Sequence, residues 1–256
     1  MRYEKLGDSN TVTTTVTSRF SYLTSHMRMR IGIRNSLVAG SIFLALLLSA
    51  CGTQKPSANH ARLNKPLATP PSAGNKPKVI CFGDSLSAGF GLSEKESYPY
   101  LLQQQLTADG YDYEVVNAGV SGDTSAGGLD RADWVLGQDN AKVVVIELGA
   151  NDMLRGMPPS KMKQNIDKIL TKAQTRGLRV LLCGMLAPPT MGAEYQRDFT
   201  NAFPDLASEH HVAYLPFLLD NVAMNKDLNQ ADGIHPNAAG EKIMTDNVYR
   251  SLKPLL

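Results

Sequence analysis

Val79-Ile80-Cys81-Phe82 runs straight into Gly83-Asp84-Ser85-Leu86, so an apolar segment delivers a serine into a tight, glycine-containing turn. Near the other end of the chain, Ala231-Asp232-Gly233-Ile234-His235-Pro236 holds an aspartate and a histidine within one short turn. A serine hydroxyl is a weak nucleophile at neutral pH and needs a base, a group to orient that base, and donors for the developing oxyanion. Asp232 against the Nδ1 of His235 would select the tautomer that leaves Nε2 free to take the Ser85 proton. An aspartate in a turn commonly bonds its own backbone instead, so the Asp232/His235 pair gains weight only in combination with Ser85. Two middle segments offer the donors. Asn151 in Gly149-Ala150-Asn151-Asp152 supplies a side-chain amide, and Gly122 in Ser121-Gly122-Asp123-Thr124 supplies a backbone N–H that can approach a ligand closely.

Alternating elements are needed to bring these residues together. Short apolar runs at 79–82, 113–116, 143–148, 179–183 and 213–215 predict strands. Helical patterns follow at 98–106, 126–136, 159–175, 195–209 and 238–252. This alternation predicts an α/β fold, a parallel sheet with helices on both faces. Ligand sites in open α/β sheets lie at the carboxyl ends of the strands. Ser85, Gly122 and Asn151 each follow a strand directly, so they should face one crevice. The order of the parts differs from that of α/β-hydrolases, because no G-x-S-x-G elbow surrounds Ser85 and the acid and base share one late loop. Asp84 is expected to bond loop backbone, and Trp134 and Leu136 to cover the sheet.

These four ordered blocks, from Gly83-Asp84-Ser85-Leu86 to Asp232-Gly233-Ile234-His235-Pro236, resemble those of the SGNH (GDSL) hydrolase family. Ser121-Gly122-Asp123-Thr124-Ser125, Leu154-Arg155-Gly156 and Leu215-Pro216-Phe217 are further similar to the bacterial branch containing arylesterases, acyl-CoA thioesterase I and lysophospholipase L1. The likeness spans residues 78–256. It implies a flavodoxin-like three-layer α/β/α sandwich with a parallel, roughly five-stranded sheet. It also implies Ser85 as nucleophile, His235 as base, Asp232 as its orienter, and Ser85, Gly122 and Asn151 as oxyanion donors, with no cofactor and no metal. The implied activity is that of a serine esterase acting on acyl esters or thioesters. A polysaccharide or peptidoglycan O-deacetylase and a noncatalytic envelope-binding lipoprotein are the competing expectations. Many relatives carry glycine where Met153 stands, which bears on substrate preference. Met153, Leu154 and Met157, with Pro189 from the stiff 186–192 loop, are the candidate lining of an acyl pocket.

Composition sets the outer limits. The 256 residues are 43% hydrophobic and 20% charged, enough for one sizeable core, and the net charge of +2 with dispersed basic residues excludes a nucleic-acid footprint. Arg28, Arg30 and Arg34 precede an uncharged, leucine-rich run over 36–50 that ends in Leu48-Ser49-Ala50-Cys51. That ending resembles a bacterial lipobox, making Cys51 the candidate lipidation site. Residues 36–50 also fit an uncleaved membrane anchor or a plain secretory signal, although Ser49, Cys51, Gly52, Thr53 and Gln54 dilute the far end and favour cleavage.

The expected organisation is therefore a non-native extension over 1–26, a lipoprotein signal peptide over 27–50, a Pro-rich tether over 51–77 and a hydrolase domain over 78–256. The expected setting is the bacterial cell envelope. The resemblance implies outer-membrane sorting, because Gly52 and not aspartate follows Cys51; the periplasmic side and a monomeric protein are separate expectations. Cys81 and Cys183 lie in strands that should not be neighbours, so buried thiols are expected rather than a disulfide, and His210 and His211 are expected as solvated helix-end residues.

Overall fold

Five strands, β1 (Lys78–Gly83), β2 (Glu114–Asn117), β3 (Ala141–Glu147), β4 (Arg179–Cys183) and β5 (Ala213–Leu215), form one parallel sheet in the order β2-β1-β3-β4-β5. The computed structural model describes residues 76–256. The expected extension, signal peptide and lipidation site at Cys51, and nearly all of the tether, lie outside these residues. Val79–Phe82 and Val143–Ile146 are completely buried, which explains why these strands read as unbroken apolar runs rather than alternating ones.

Helices α1 (Ser85–Ala88), α2 (Tyr98–Ala108), α3 (Ser125–Leu136), α4 (Ala150–Leu154), α5 (Pro159–Thr175), α6 (Ala193–His210) and α7 (Ala238–Leu252) fill the connections. One layer packs α3 on α5 and α5 on α6, and the other packs α2 on α7. This is the flavodoxin-like α/β/α sandwich. The chain moves outward from β1 in opposite directions on the two sides, so the loops after β1 and β3 diverge at a topological switch point and open a crevice there. Helices α1 and α4 are too short to show a periodic apolar pattern, and both sit in that crevice.

Two expectations change. Trp134 does not cover the sheet: it is 74% exposed, while Leu136 at 2% and Val135 at 0% take the buried face of α3. His210 is not solvated either. Its Nε2 lies 2.7 Å from Asp167 Oδ1 and its Nδ1 3.0 Å from Gln174 Oε1, so it ties α6 to α5, whereas His211 is exposed. Cys81 and Cys183 are free and buried, on strands separated by β3. Burial pushes the Cys81 thiol up to about 12, which makes it a core residue and not a reactive one.

Candidate active site

Asp84 caps α1. Its side chain accepts the Leu86 N–H at 3.0 Å, and the chain turns sharply enough to put Ser85 at the first helical position with its N–H free of intrahelical bonding. The Asp84 carboxylate is 3.5 Å from Ser85 Oγ, long for an O–H···O bond. His235 Nε2, by contrast, is 2.9 Å from that oxygen, and His235 Nδ1 is 2.7 Å from Asp232 Oδ2. The other Asp232 oxygen accepts the N–H groups of Ile234 and His235 at 3.0 and 3.1 Å. The carboxylate therefore bonds both its own turn and the imidazole. These bonds, first of all the one from His235, hold Asp232 down to about 2.

The loop carrying this pair is anchored by Gln230. Its Nε2 donates to Phe90 O at 2.7 Å and to Pro236 O at 2.9 Å, while its backbone N–H donates to His235 O at 2.8 Å. Phe90 also packs on the imidazole, with ring centroids 4.6 Å apart. Base and nucleophile are thus set by contacts between the loop after β1 and the loop before α7.

The oxyanion candidates converge from two other strand ends. Gly122 has φ of 81°, a conformation L side chains rarely adopt. At Gly119 a Cβ would lie 2.3 Å from Ala88 N, so only glycine lets this loop press against α1. Asn151, in the first turn of α4, donates from Nδ2 to Asp84 Oδ2 at 2.9 Å, which fixes its amide and leaves its second N–H. Ser85, Gly122, Asn151 and His235 all border one cleft of about 380 Å³.

The rest of that cleft is mainly apolar, with Ser121 and Asn229 among its polar lining. Met153 and Leu154 line it as expected, but Met157 and Pro189 do not. After Gly156, at φ 63°, the chain turns away, and the Met157 carbonyl takes the Tyr195 hydroxyl at 2.8 Å. Pro188 stays extended along the cleft, whereas Pro189 opens a 3-10 turn that leaves it. Met185, Leu219 and Met224, none of them singled out from sequence, also line the cleft, as does Phe217, marked in the sequence only as part of a family-like block. At the mouth, Phe90, Leu154, Leu186, Met224 and Ile234 are exposed.

Sequence reasoning also missed the groups beneath the site. Glu147, buried at the end of β3, accepts the Asp84 N–H at 3.0 Å and the Ser87 hydroxyl at 2.9 Å. Burial, followed by the adjacent Asp84 charge, pushes its carboxyl well above the usual range. Asp152 accepts the Ser125 N–H at 2.7 Å and its hydroxyl at 2.6 Å, joining α4 to α3. A carboxylate inside the β-branched run 143–148 was a legible signal for Glu147, since carboxylates are rarely buried without partners. Nothing local marked the others. Among the described residues, no group of three or more His, Cys, Asp or Glu side chains is arranged to hold a metal ion.

A serine, histidine and aspartate in one hydrogen-bonded line, at the carboxyl edge of a five-stranded parallel sheet and facing an apolar cleft, define a hydrolase of the serine type. The GDSL-like lipase/acylhydrolase family model matches residues 81–243, and the chain belongs to that family. It is 44% identical over 178 residues to esterase TesA of Pseudomonas aeruginosa, covering 70% of this chain and 89% of that protein. It is 36% identical over 178 residues to thioesterase 1/protease 1/lysophospholipase L1 of Escherichia coli, covering 70% of this chain and 84% of that protein. The arylesterase of Vibrio mimicus is 35% identical over 175 residues, covering 68% of this chain and 88% of that protein. Among solved structures, the crystal structure of TesA superposes with a TM-score of 0.68 over 70% of this chain and 99% of its own. The protein is a serine hydrolase acting on ester bonds.

Proposed function

We propose that Ser85, His235 and Asp232 carry this ester hydrolysis and that the natural substrates are acyl esters or thioesters, lysophospholipids among them, whose chain lies in the apolar cleft. The observation that supports it is the line of contacts at 2.9 and 2.7 Å from Ser85 through His235 to Asp232, opening onto that cleft. Ser85 Oγ attacks the carbonyl carbon while His235 Nε2 takes its proton, and the imidazolium is stabilised by Asp232. The oxyanion meets the N–H groups of Ser85 and Gly122 and the Asn151 amide. Collapse expels the alcohol or thiol, which leaves with the proton from His235. Water, deprotonated by the same imidazole, then releases the acid from Ser85.

Ser85→Ala is expected to abolish p-nitrophenyl butyrate turnover while circular dichroism stays unchanged; retained turnover would remove Ser85 from its role. The apolar lining favours acyl chains longer than acetyl, so decanoyl esters should outperform acetyl esters, and the reverse order would support an O-deacetylase. The placement at the envelope rests on Arg28, Arg30, Arg34, the apolar run 36–50 and Cys51. With Gly52 rather than aspartate after Cys51, the reading is of an enzyme lipid-anchored at the periplasmic side of a bacterial outer membrane. Palmitate incorporation lost in Cys51→Ala supports the anchor, and no incorporation into the wild-type protein refutes it.

A further inference from the structure

Three donors borne on three different loops stabilise an oxyanion only if their mutual distances are held, and one of them, Gly122, has no side chain to restrict its own torsions. Two guanidinium groups bridge these loops. Arg131, on α3 with a side chain only 20% exposed, donates from Nε to Asp123 Oδ2 at 2.8 Å, from Nη1 to Ala118 O at 2.7 Å and from Nη2 to Gly83 O at 2.8 Å. Its planar head also lies 4.6 Å from the centre of the Phe82 ring. Gly83 ends the strand that delivers Ser85, Ala118 opens the loop that carries Gly122, and Asp123 is the next residue after Gly122. One side chain thus spans the nucleophile turn and both flanks of the glycine donor.

Arg155 supplies the remaining link. It caps the carboxyl end of α4, its backbone N–H donating to Asn151 O at 3.2 Å, while its Nη2 donates to Gly122 O at 2.6 Å. The helix carrying the Asn151 donor is thereby tied to the Gly122 turn. We infer that Arg131 and Arg155 are positioning residues for the oxyanion hole, holding the Ser85, Gly122 and Asn151 donors at fixed separation. This rests on the assignment of those three donors proposed above. Neither arginine touches the reacting atoms; their hydrogen bonds go to backbone carbonyls and one carboxylate on the donor-bearing loops, and Arg131 in addition packs over the buried Phe82 ring. Arginine suits the task because its rigid fork serves several acceptors at once, which a lysine ammonium on a flexible stem does not.

The experiment measures kcat and KM for p-nitrophenyl butyrate, with kcat normalised to sites titrated by a fluorophosphonate, together with Tm, in Arg155→Ala, Arg131→Lys and Ser85→Ala. Misplacing a catalytic group by about 1 Å can lower the rate by about 100-fold, so a loosened Gly122 should lower kcat per titrated site about 10-fold or more in Arg155→Ala, with KM changed less than about twofold. Because Arg155 is exposed, millimolar guanidinium chloride should restore a measurable part of that loss without raising Tm. Arg131→Lys keeps the charge but not the fork, and its kcat per site should fall at least as far; Arg155→Ala carries the test if that variant does not fold. A lower Tm with wild-type kcat per titrated site overturns the inference, provided Ser85→Ala is inactive. Full turnover by Ser85→Ala overturns the assignment beneath it, and the inference with it.

Discussion

Asp232, one imidazole away from the nucleophile, and Asp84, its neighbour in the chain, are acted on by their surroundings in opposite senses. The Asp232 side chain is 38% exposed and held down to about 2, chiefly by the hydrogen bond with His235 and then by the Ile234 N–H. Asp84 is fully buried, and desolvation pushes its carboxyl up in spite of the bonds from Leu86 and Asn151. Beneath it, Glu147 accepts the Asp84 N–H, and burial together with the Asp84 charge pushes its carboxyl well up too. The group that must face a developing imidazolium remains ionised through short polar contacts at the surface. Burial of two carboxyls side by side disfavours charge on both, and at Asp84 the bonds from Leu86 and Asn151 oppose that effect. Two carboxyls close to one serine thus separate into a partner for the base and a brace for the nucleophile turn and the oxyanion amide.

Asp232→Asn breaks the first arrangement and should have the largest effect. Loss of the carboxylate that selects the tautomer is expected to lower kcat by about 10,000-fold, with the circular dichroism spectrum intact; kinetics on p-nitrophenyl butyrate check it. Its effect on stability has a defined sign. A depressed carboxylate stabilises the fold above its unfolded value near 3.9, and that contribution disappears as pH falls through about 2. The contribution is small, because Asp232 is partly solvent-screened.

Glu147→Gln sharpens the second arrangement. The amide keeps an acceptor for the Asp84 N–H and the Ser87 hydroxyl without placing a charge beside Asp84, so kcat should stay within about fivefold of wild type, since no oxyanion donor is lost. Glu147→Ala instead leaves those buried donors unpaired, at about 1–3 kcal/mol each, which urea unfolding would register. If the amide variant were as damaging as Asp232→Asn, Glu147 would have to act as an ion.

Glu241→Gln is the smallest perturbation and a control outside the Ser85–His235–Asp232 line. Glu241 is buried on α7, accepts the Tyr98 N–H at 2.8 Å, and is pushed up to about 8 by desolvation. A raised carboxyl contributes fully below its unfolded value near 4.3, and the contribution is lost as pH rises toward about 8. The glutamine variant should therefore flatten the decline of Tm over that range and raise Tm at pH 8. Each 1 kcal/mol corresponds to roughly 2–4 °C for a domain of this size, and activity should be unchanged.

Strand and helix order was legible because each of β1, β3 and β4 is an uninterrupted apolar run between polar turns, and because α5 and α7 are long enough to display a repeating buried face. The short helices α1 and α4 were not, since four or five residues show no period. Ser85, Asp232 and His235 stood out by chemistry and spacing, and the structure brings them into contact. The pocket was half legible. Met153 and Leu154 close the short helix α4 that follows β3 and do face the cleft, whereas Met157 and Pro189 fail because one positive-φ glycine and one 3-10 turn redirect the chain. The placement of Trp134 failed because residue type predicts burial only when the helix face is known.

Residue identity and local spacing alone specified a serine with a histidine–aspartate pair, a parallel α/β sheet, and the family, because nucleophile turns, Asp-His loops and apolar strands are short-range features. Tertiary structure alone decided which carboxyl is held down and which are pushed up, which apolar residues form the acyl cleft, and how Arg131 and Arg155 tie three loops together. Desolvation and hydrogen bonding depend on neighbours tens of residues away in the chain, and only the packing of β1 against β3 brings those neighbours together.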